Sequence, residues 1–229
     1  MDIKDKVVVI TGSSRGLGKA LASAFADEGA KVVVNARNKG ELEEVATAVN
    51  AFPVVADVTK EKEVLALADA VIKKFGRIDI WINNAGIWMS HAPIETMDWQ
   101  RVHELVEVNL FGTIYGSKAA LVQMRKQDSG AIINIISTSA LEGRAGSSGY
   151  GASKYAAAGF TKALRAETKG SNIKVIAAYP GGMKTHLFDE KRPDDIDKYM
   201  EPEFVADKIL QNLVQENSEE ELIVKHPSS

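Results

Sequence analysis

Cysteine is absent from the 229 residues. That removes disulfides, thiolate-held zinc, iron–sulfur clusters and cysteine nucleophiles from consideration. A charge excess of one sign is also missing. Lys plus Arg number 28 against 31 Asp plus Glu, a net charge of −3, so no surface for nucleic acid or anionic membrane is expected. Long apolar runs are lacking too. Val7–Ile10 is far shorter than a signal peptide's core, and nothing approaches the roughly 18 apolar residues of a membrane span. A soluble, cytoplasmic protein is the expectation. The four histidines, His91, His103, His186 and His226, lie scattered without metal-ligand spacing, and no metal is expected. There is no internal repeat and no low-complexity linker.

What the sequence has is alternation. Short β-branched runs at 6–10, 31–35, 54–56, 78–82, 131–137, 173–179 and 221–225 read as strands. Between them, 17–28, 41–50, 61–75, 98–127, 150–169 and 203–216 carry helical spacing, with the longest expected to divide near Asn109. Gly29 and Gly76 stop two of these helices, and Pro53 blocks another. Strand alternating with helix marks a parallel sheet covered on both faces. The expected fold is a single α/β domain over 1–229, a doubly wound Rossmann fold with a central parallel sheet of about seven strands and helices on both faces.

Thr11-Gly12-Ser13-Ser14-Arg15-Gly16-Leu17-Gly18 joins the first strand to the first helix. Glycines there allow close approach of a pyrophosphate, and the helix offers free N–H groups and its positive dipole end. The spacing is Gly-xxx-Gly-x-Gly, not Gly-x-Gly-xx-Gly. A dinucleotide site at Gly12, Ser14, Arg15, Gly16, Leu17 and Gly18 follows from its position. The second strand ends Val34-Asn35-Ala36-Arg37-Asn38, with no acid to bond a ribose 2′-hydroxyl. Arg15 and Arg37 suit a 2′-phosphate, with Asn35 and Asn38 adding neutral hydrogen bonds. NADP(H) is therefore the expected cofactor.

Tyr150 and Lys154 stand four apart at a helix start, on one face. A tyrosine acid at neutral pH needs its pKa lowered from about 10 towards 7, roughly 4 kcal/mol. A nearby ammonium and a cationic nicotinamide ring are candidates to supply this. Ser137, Thr138 and Ser139 are candidate hydroxyl partners, all just before that helix.

With these motifs in this order, the chain resembles the short-chain dehydrogenase/reductase family over essentially its whole length. The resemblance implies hydride transfer between NADP(H) and a small carbonyl or alcohol substrate. It places Asp57 and Val58 against the adenine, and Asn84, Ala85 and Gly86 of Asn83-Asn84-Ala85-Gly86 beside the cofactor. Pro180, Gly181 and Thr185 would close over the nicotinamide. It makes Tyr150 the general acid/base and Lys154 the group that lowers its pKa and bonds the nicotinamide ribose. Asn109 would hold a water in a proton relay. In the family the serine lies thirteen residues before the tyrosine, which selects Ser137, with Ser139 as the fallback. A catalytically silent dinucleotide-binding protein, or a related epimerase or dehydratase, are the alternatives; all three catalytic residue types are present, which disfavours the first.

The sequence departs from the family in places. Tyr179 stands where members commonly carry Asn, and is expected to narrow the site or touch the cofactor. Ile136 replaces a common first serine. The chain stops soon after Lys225, which puts the tetramer of many members in doubt and leaves a homodimer through the helices at 109–127 and 150–169. The substrate loop is expected over 182–201, with Trp88 and Met89 as an apolar wall and His91 nearby. Trp81, inside a strand, is expected in the core. A mainly apolar carbonyl compound of modest size is the substrate this suggests.

Overall fold

The structure, a computed structural model, describes residues 1–226. The last three residues of the expected domain lie outside the described residues. The first half runs β1 (Val7–Thr11), α1 (Gly16–Asp27), β2 (Lys31–Ala36), α2 (Lys39–Ala48), β3 (Phe52–Val55), α3 (Glu61–Phe75) and β4 (Ile80–Asn83). The second half adds α4 (Trp99–Val106), a π-helical turn (Glu107–Phe111), α5 (Gly112–Gln127), β5 (Gly130–Ile135), α6 (Ser148–Glu167), β6 (Ile173–Pro180), α7 (Pro202–Val214) and β7 (Glu221–Val224). All strand pairs are parallel, in the order β3-β2-β1-β4-β5-β6-β7. This is the expected doubly wound sheet.

The strands read as continuous apolar runs because both sheet faces are covered. Val8, Ile10, Val34 and Ile82 pack on one face with Leu21 and Phe25 of α1 and Leu213 of α7. Val7, Val9, Val33 and Trp81 pack on the other with Leu67 and Val71 of α3 and Met124 of α5. Local signals set the helix ends. Asn38 accepts from the N–H groups of Gly40 and Glu41, and Asp98 from those of Gln100 and Arg101. Gly76 ends α3 at φ 77°, the left-handed cap that glycine adopts without strain. Pro53 lies within β3 rather than before it; as an edge strand, β3 tolerates the missing donor. The long helix does divide near Asn109, through the π turn.

Strand order reverses between β1 and β4, since the chain first builds outward through β2 and β3 and then returns. The crevice at the carboxyl ends of these two strands is where such sheets bind ligands. No helix among the described residues is long and apolar enough to cross a membrane.

Candidate functional site

A cleft of about 1060 Å³ opens at that reversal point. Its floor is the turn after β1. Gly12, at φ +63°, lies so close to the segment after β4 that a Cβ would come within 2.7 Å of Ala85 Cα. Asn84 ties the two together: its Nδ2 donates to the carbonyls of Thr11 at 2.8 Å and Gly12 at 3.0 Å. The Thr11 hydroxyl in turn accepts from the N–H groups of Asn84 and Ala85. At Gly18 a Cβ would meet the Gly12 carbonyl at 2.3 Å. The turn is thus held against the sheet, with the amino end of α1 facing the cleft, the arrangement that accepts a phosphate. Every residue the sequence assigns to the cofactor lines this cleft, as do Ser137, Tyr150 and Lys154.

Two of these side chains are engaged otherwise than expected. Asn35 is fully buried, and its Nδ2 donates to the carbonyls of Val54 and Ala56, both at 3.1 Å. Its donors are spent on holding β3, so they are not free for a 2′-phosphate. Its Oδ1 is left as a buried acceptor without a partner among the described residues. Arg15 turns towards the loop after β6, with Nη1 3.8 Å from Asp189. Arg37 has no carboxylate within ion-pair distance among the described residues and remains the open cation at the end of β2.

Tyr150 and Lys154 emerge on the cleft side of α6, both nearly inaccessible to water. Tyr150 packs with Trp88, Met89 and Leu105. Burial pushes its phenol up to about 12, against the opposing pull of a hydrogen bond with Ser137. The lowering expected from Lys154 is not seen: loss of hydration sets the direction, and Ser137 alone opposes it. Burial likewise lowers Lys154 to about 8, and its Nζ donates to the Ile135 carbonyl at 3.0 Å. Ser137 starts the tight turn after β5 and accepts from the Ser139 N–H. Of the three candidate hydroxyls, Ser137 is the one bonded to Tyr150.

Asn109 does not reach the cleft wall; it lies beneath it, 1% exposed. Oδ1 accepts from the Ile87 N–H at 2.9 Å, and Nδ2 donates to the Ile87 carbonyl and the Ser153 hydroxyl, both at 3.0 Å. These bonds commit the amide to fixing the backbone beside Lys154. A Cβ on Gly86 would come 3.3 Å from Asn109 Oδ1 and 3.6 Å from Lys154 Nζ.

Tyr179 corrects another expectation. Its side chain points away from the cleft, is fully buried beside Ile136, Ala157 and Ala158, and donates to Glu221 Oε2 at 2.6 Å. Arg165 bonds the other Glu221 oxygen and the carbonyls of Val175 and Glu220. Tyr179 therefore fastens β7 to the sheet. Trp81 is in the core as expected, its Nε1 donating to Asn83 Oδ1 at 2.8 Å. Trp88, 9% exposed, is both core and cleft wall.

The segment 182–201 covers one side of the cleft. Phe188 meets Trp88 edge-on at 5.2 Å. Glu190 accepts from the Ser90 hydroxyl at 3.2 Å and from Arg101 at 3.4 Å. Thr185 lies over Gly16, whose added Cβ would be 3.3 Å away. Arg101, Arg144 and Tyr199 also line the cleft and were missed by the motif reading.

Comparison with known proteins agrees with this geometry. The family model described as short chain dehydrogenase matches residues 6–196. An uncharacterized oxidoreductase of Staphylococcus saprophyticus is 37% identical, over 100% of this chain and 98% of its own. An alcohol dehydrogenase from the archaeon Thermococcus sibiricus, complexed with 5-hydroxy-NADP, superposes with a TM-score of 0.90 at 27% identity, covering 99% of this chain and 98% of its own. A 3-ketoacyl-(acyl-carrier-protein) reductase from Brucella melitensis, complexed with NADH, gives 0.91 at 29% identity, covering 98% of each chain. The chain belongs to the short-chain dehydrogenase/reductase family and is an oxidoreductase of that type.

Proposed function

We propose that the chain is an NADP(H)-dependent reductase that interconverts a small carbonyl compound and its alcohol, with Tyr150 as general acid/base. The observation that carries this reading is the convergence of Ser137, Tyr150 and Lys154 on one wall of a cleft whose far end holds the open Arg37. The residues present fit a nicotinamide dinucleotide: the glycine turn leaves room for the pyrophosphate at the amino end of α1, and Asp57 and Val58 line the adenine end. When bound, NADPH supplies the hydride. Ser137 bonds the substrate oxygen and orients it. Tyr150 donates its proton to that oxygen as charge develops, so carbonyl, hydride and proton together make the alcohol. A phenol at about 12 keeps its proton at neutral pH, the form a general acid needs. Lys154, at about 8, stays mostly cationic there and stabilises the tyrosinate left behind. Asn109 acts as a positioning residue, through the Ile87 backbone.

NADP(H) is favoured over NAD(H) by Arg37 at the end of β2 with no acid beside it in the strand. The segment 182–201 acts as the substrate loop. The whole chain forms one catalytic domain, placed in the cytoplasm. A homodimer is supported by an apolar outer face on α5 and α6, where Val122 and Tyr155 are each 46% exposed beside the groove of Ile114, Leu121 and Phe160.

Deuterium transfer tests the reading. Protein incubated with [4,4-²H2]NADPH and a panel of ketones, diketones, aldehydes and 3-oxo esters is expected to give an alcohol with one deuterium from the cofactor on the carbinol carbon. NADPH binding without label transfer to any compound would favour the silent binding protein instead.

A further inference from the structure

The substrate end of the cleft combines an aromatic wall with one guanidinium that has no carboxylate within ion-pair distance among the described residues. Trp88, Phe188 and Tyr199 form a chain of edge-on rings, with centroids 5.2 Å and 5.7 Å apart. Tyr199 lies on the backbone of Gly182, where a Cβ would come within 2.6 Å of the ring. Trp88 also packs with Tyr150. A planar ring placed against this wall would gain edge and face contacts close to the Tyr150 hydroxyl.

The charges around that wall are mostly spoken for. Arg15 faces Asp189 at 3.8 Å, Arg101 faces Glu190 at 3.4 Å, and Arg192 faces Asp197 at 4.0 Å. Asp189 also meets His186, Glu190 accepts from Ser90, and Asp195 takes the hydroxyl of Tyr199. Lys191 and Asp194, the remaining free charges of the lining loop, have opposite signs. Among the described residues, two cleft-lining guanidinium groups lack a carboxylate within ion-pair distance: Arg37 at the cofactor end and Arg144 at the substrate end. Arg144 stands between Ser137 and α6, close enough to the Tyr199 hydroxyl for its charge to act there. An open guanidinium beside an aromatic wall matches a carboxylate carried on a flat body, because its fork of donors pairs with two oxygens at once.

We propose that the substrate is a flat aromatic or cyclic carbonyl compound bearing a carboxylate remote from its carbonyl, and that Arg144 binds that carboxylate. The proposal rests on the reductase reading above and specifies the substrate class of the same site.

The test compares 4-carboxybenzaldehyde, its methyl ester and benzaldehyde as substrates for NADPH oxidation by the wild type, Arg144→Ala and Arg144→Lys. The ester is the more electrophilic aldehyde, so the acid-to-ester ratio of kcat/KM in Arg144→Ala gives the intrinsic baseline. The wild-type ratio is expected about tenfold above it, carried by the KM of the acid. Arg144→Lys is expected to recover part of the difference, since it keeps the charge and loses the fork. The gap should shrink as salt is raised. Reduction of the neutral aldehydes with the same acid-to-ester ratio in wild type and Arg144→Ala would overturn this inference alone. No turnover of any of the three, alongside reduction of another carbonyl compound of the panel, would overturn this inference and leave the reductase reading standing; no turnover of any panel member would remove both.

Discussion

Replacing Tyr179 by Phe removes one oxygen and leaves the buried ring in place. The oxygen lost donates to Glu221 Oε2 at 2.6 Å. A hydrogen bond to a charged group contributes about 1.5–3 kcal/mol. The Glu221 side chain is 37% exposed, so water can replace part of the loss, and about 1–2 kcal/mol is the expected cost. For a chain of this size that lowers Tm by about 4 °C. The pH dependence is also fixed. Burial pushes the Glu221 carboxyl up, but the hydrogen bonds from Tyr179 and Arg165, with the charge of Arg165, bring it below its ordinary value. A carboxyl depressed in the folded state contributes stability that is present above its unfolded pKa of about 4.3 and is lost as pH falls through the folded value. The Tyr179 phenol is raised, by burial and then by Glu221, so its contribution holds below about pH 10. The gap between wild type and Tyr179→Phe should be full near pH 7 and narrow below about pH 4. Urea midpoints by circular dichroism, taken at both pH values, measure it. Equal midpoints at neutral pH, or a gap that persists unchanged in acid, would refute the clamp. A fall in kcat/KM at unchanged stability would return Tyr179 to the active site.

Three further predictions concern the site and its support. Lys154→Met should abolish turnover yet raise stability at pH 7 by ~3 kcal/mol, because it removes a buried cation whose pKa is lowered to about 8. The unfolded chain binds the extra proton between about pH 8 and 10.5, so wild-type stability rises with pH there and the variant's advantage closes; a constant advantage in thermal melts across that range would contradict the assignment. Arg37→Ala should raise the KM for NADPH about tenfold while leaving that for NADH nearly unchanged; equal effects on both would remove Arg37 from the 2′-phosphate. Gly116→Val should fail to give soluble protein, or melt far below the wild type. Even a Cβ there would stand 2.0 Å from Asn83 Oδ1, in the buried network that joins Asn83 to Ser117 and Asn134.

Much of this molecule can be read from its sequence because parallel strands are buried on both faces. Runs such as Val7–Thr11 stand out without any knowledge of their neighbours, and Glu61–Phe75 carries its apolar stripe over fifteen residues with its glycine stop, Gly76, directly after. Tyr150 and Lys154 lie on one helix face, so their spacing brings them together, whereas the choice of Ser137 over Thr138 and Ser139 came from the family resemblance. Tyr179 was misplaced because its partner, Glu221, lies 42 residues further on and is brought alongside only by the β6–β7 pairing. Asn35 was misread for the same reason: its amide is claimed by the carbonyls of Val54, in the neighbouring strand β3, and of Ala56 just beyond it. Arg144 escaped notice because one arginine in a loop carries no signal until the carboxylates around it are seen to be engaged elsewhere.

The most direct test of the central claim is NADPH oxidation by the wild type and Tyr150→Phe, over a panel of carbonyl compounds, with NADPH binding measured separately by fluorescence. The account predicts reduction by the wild type, loss of at least about a hundredfold in kcat in the variant, and unchanged NADPH affinity. Turnover by Tyr150→Phe at a rate near that of the wild type would contradict it.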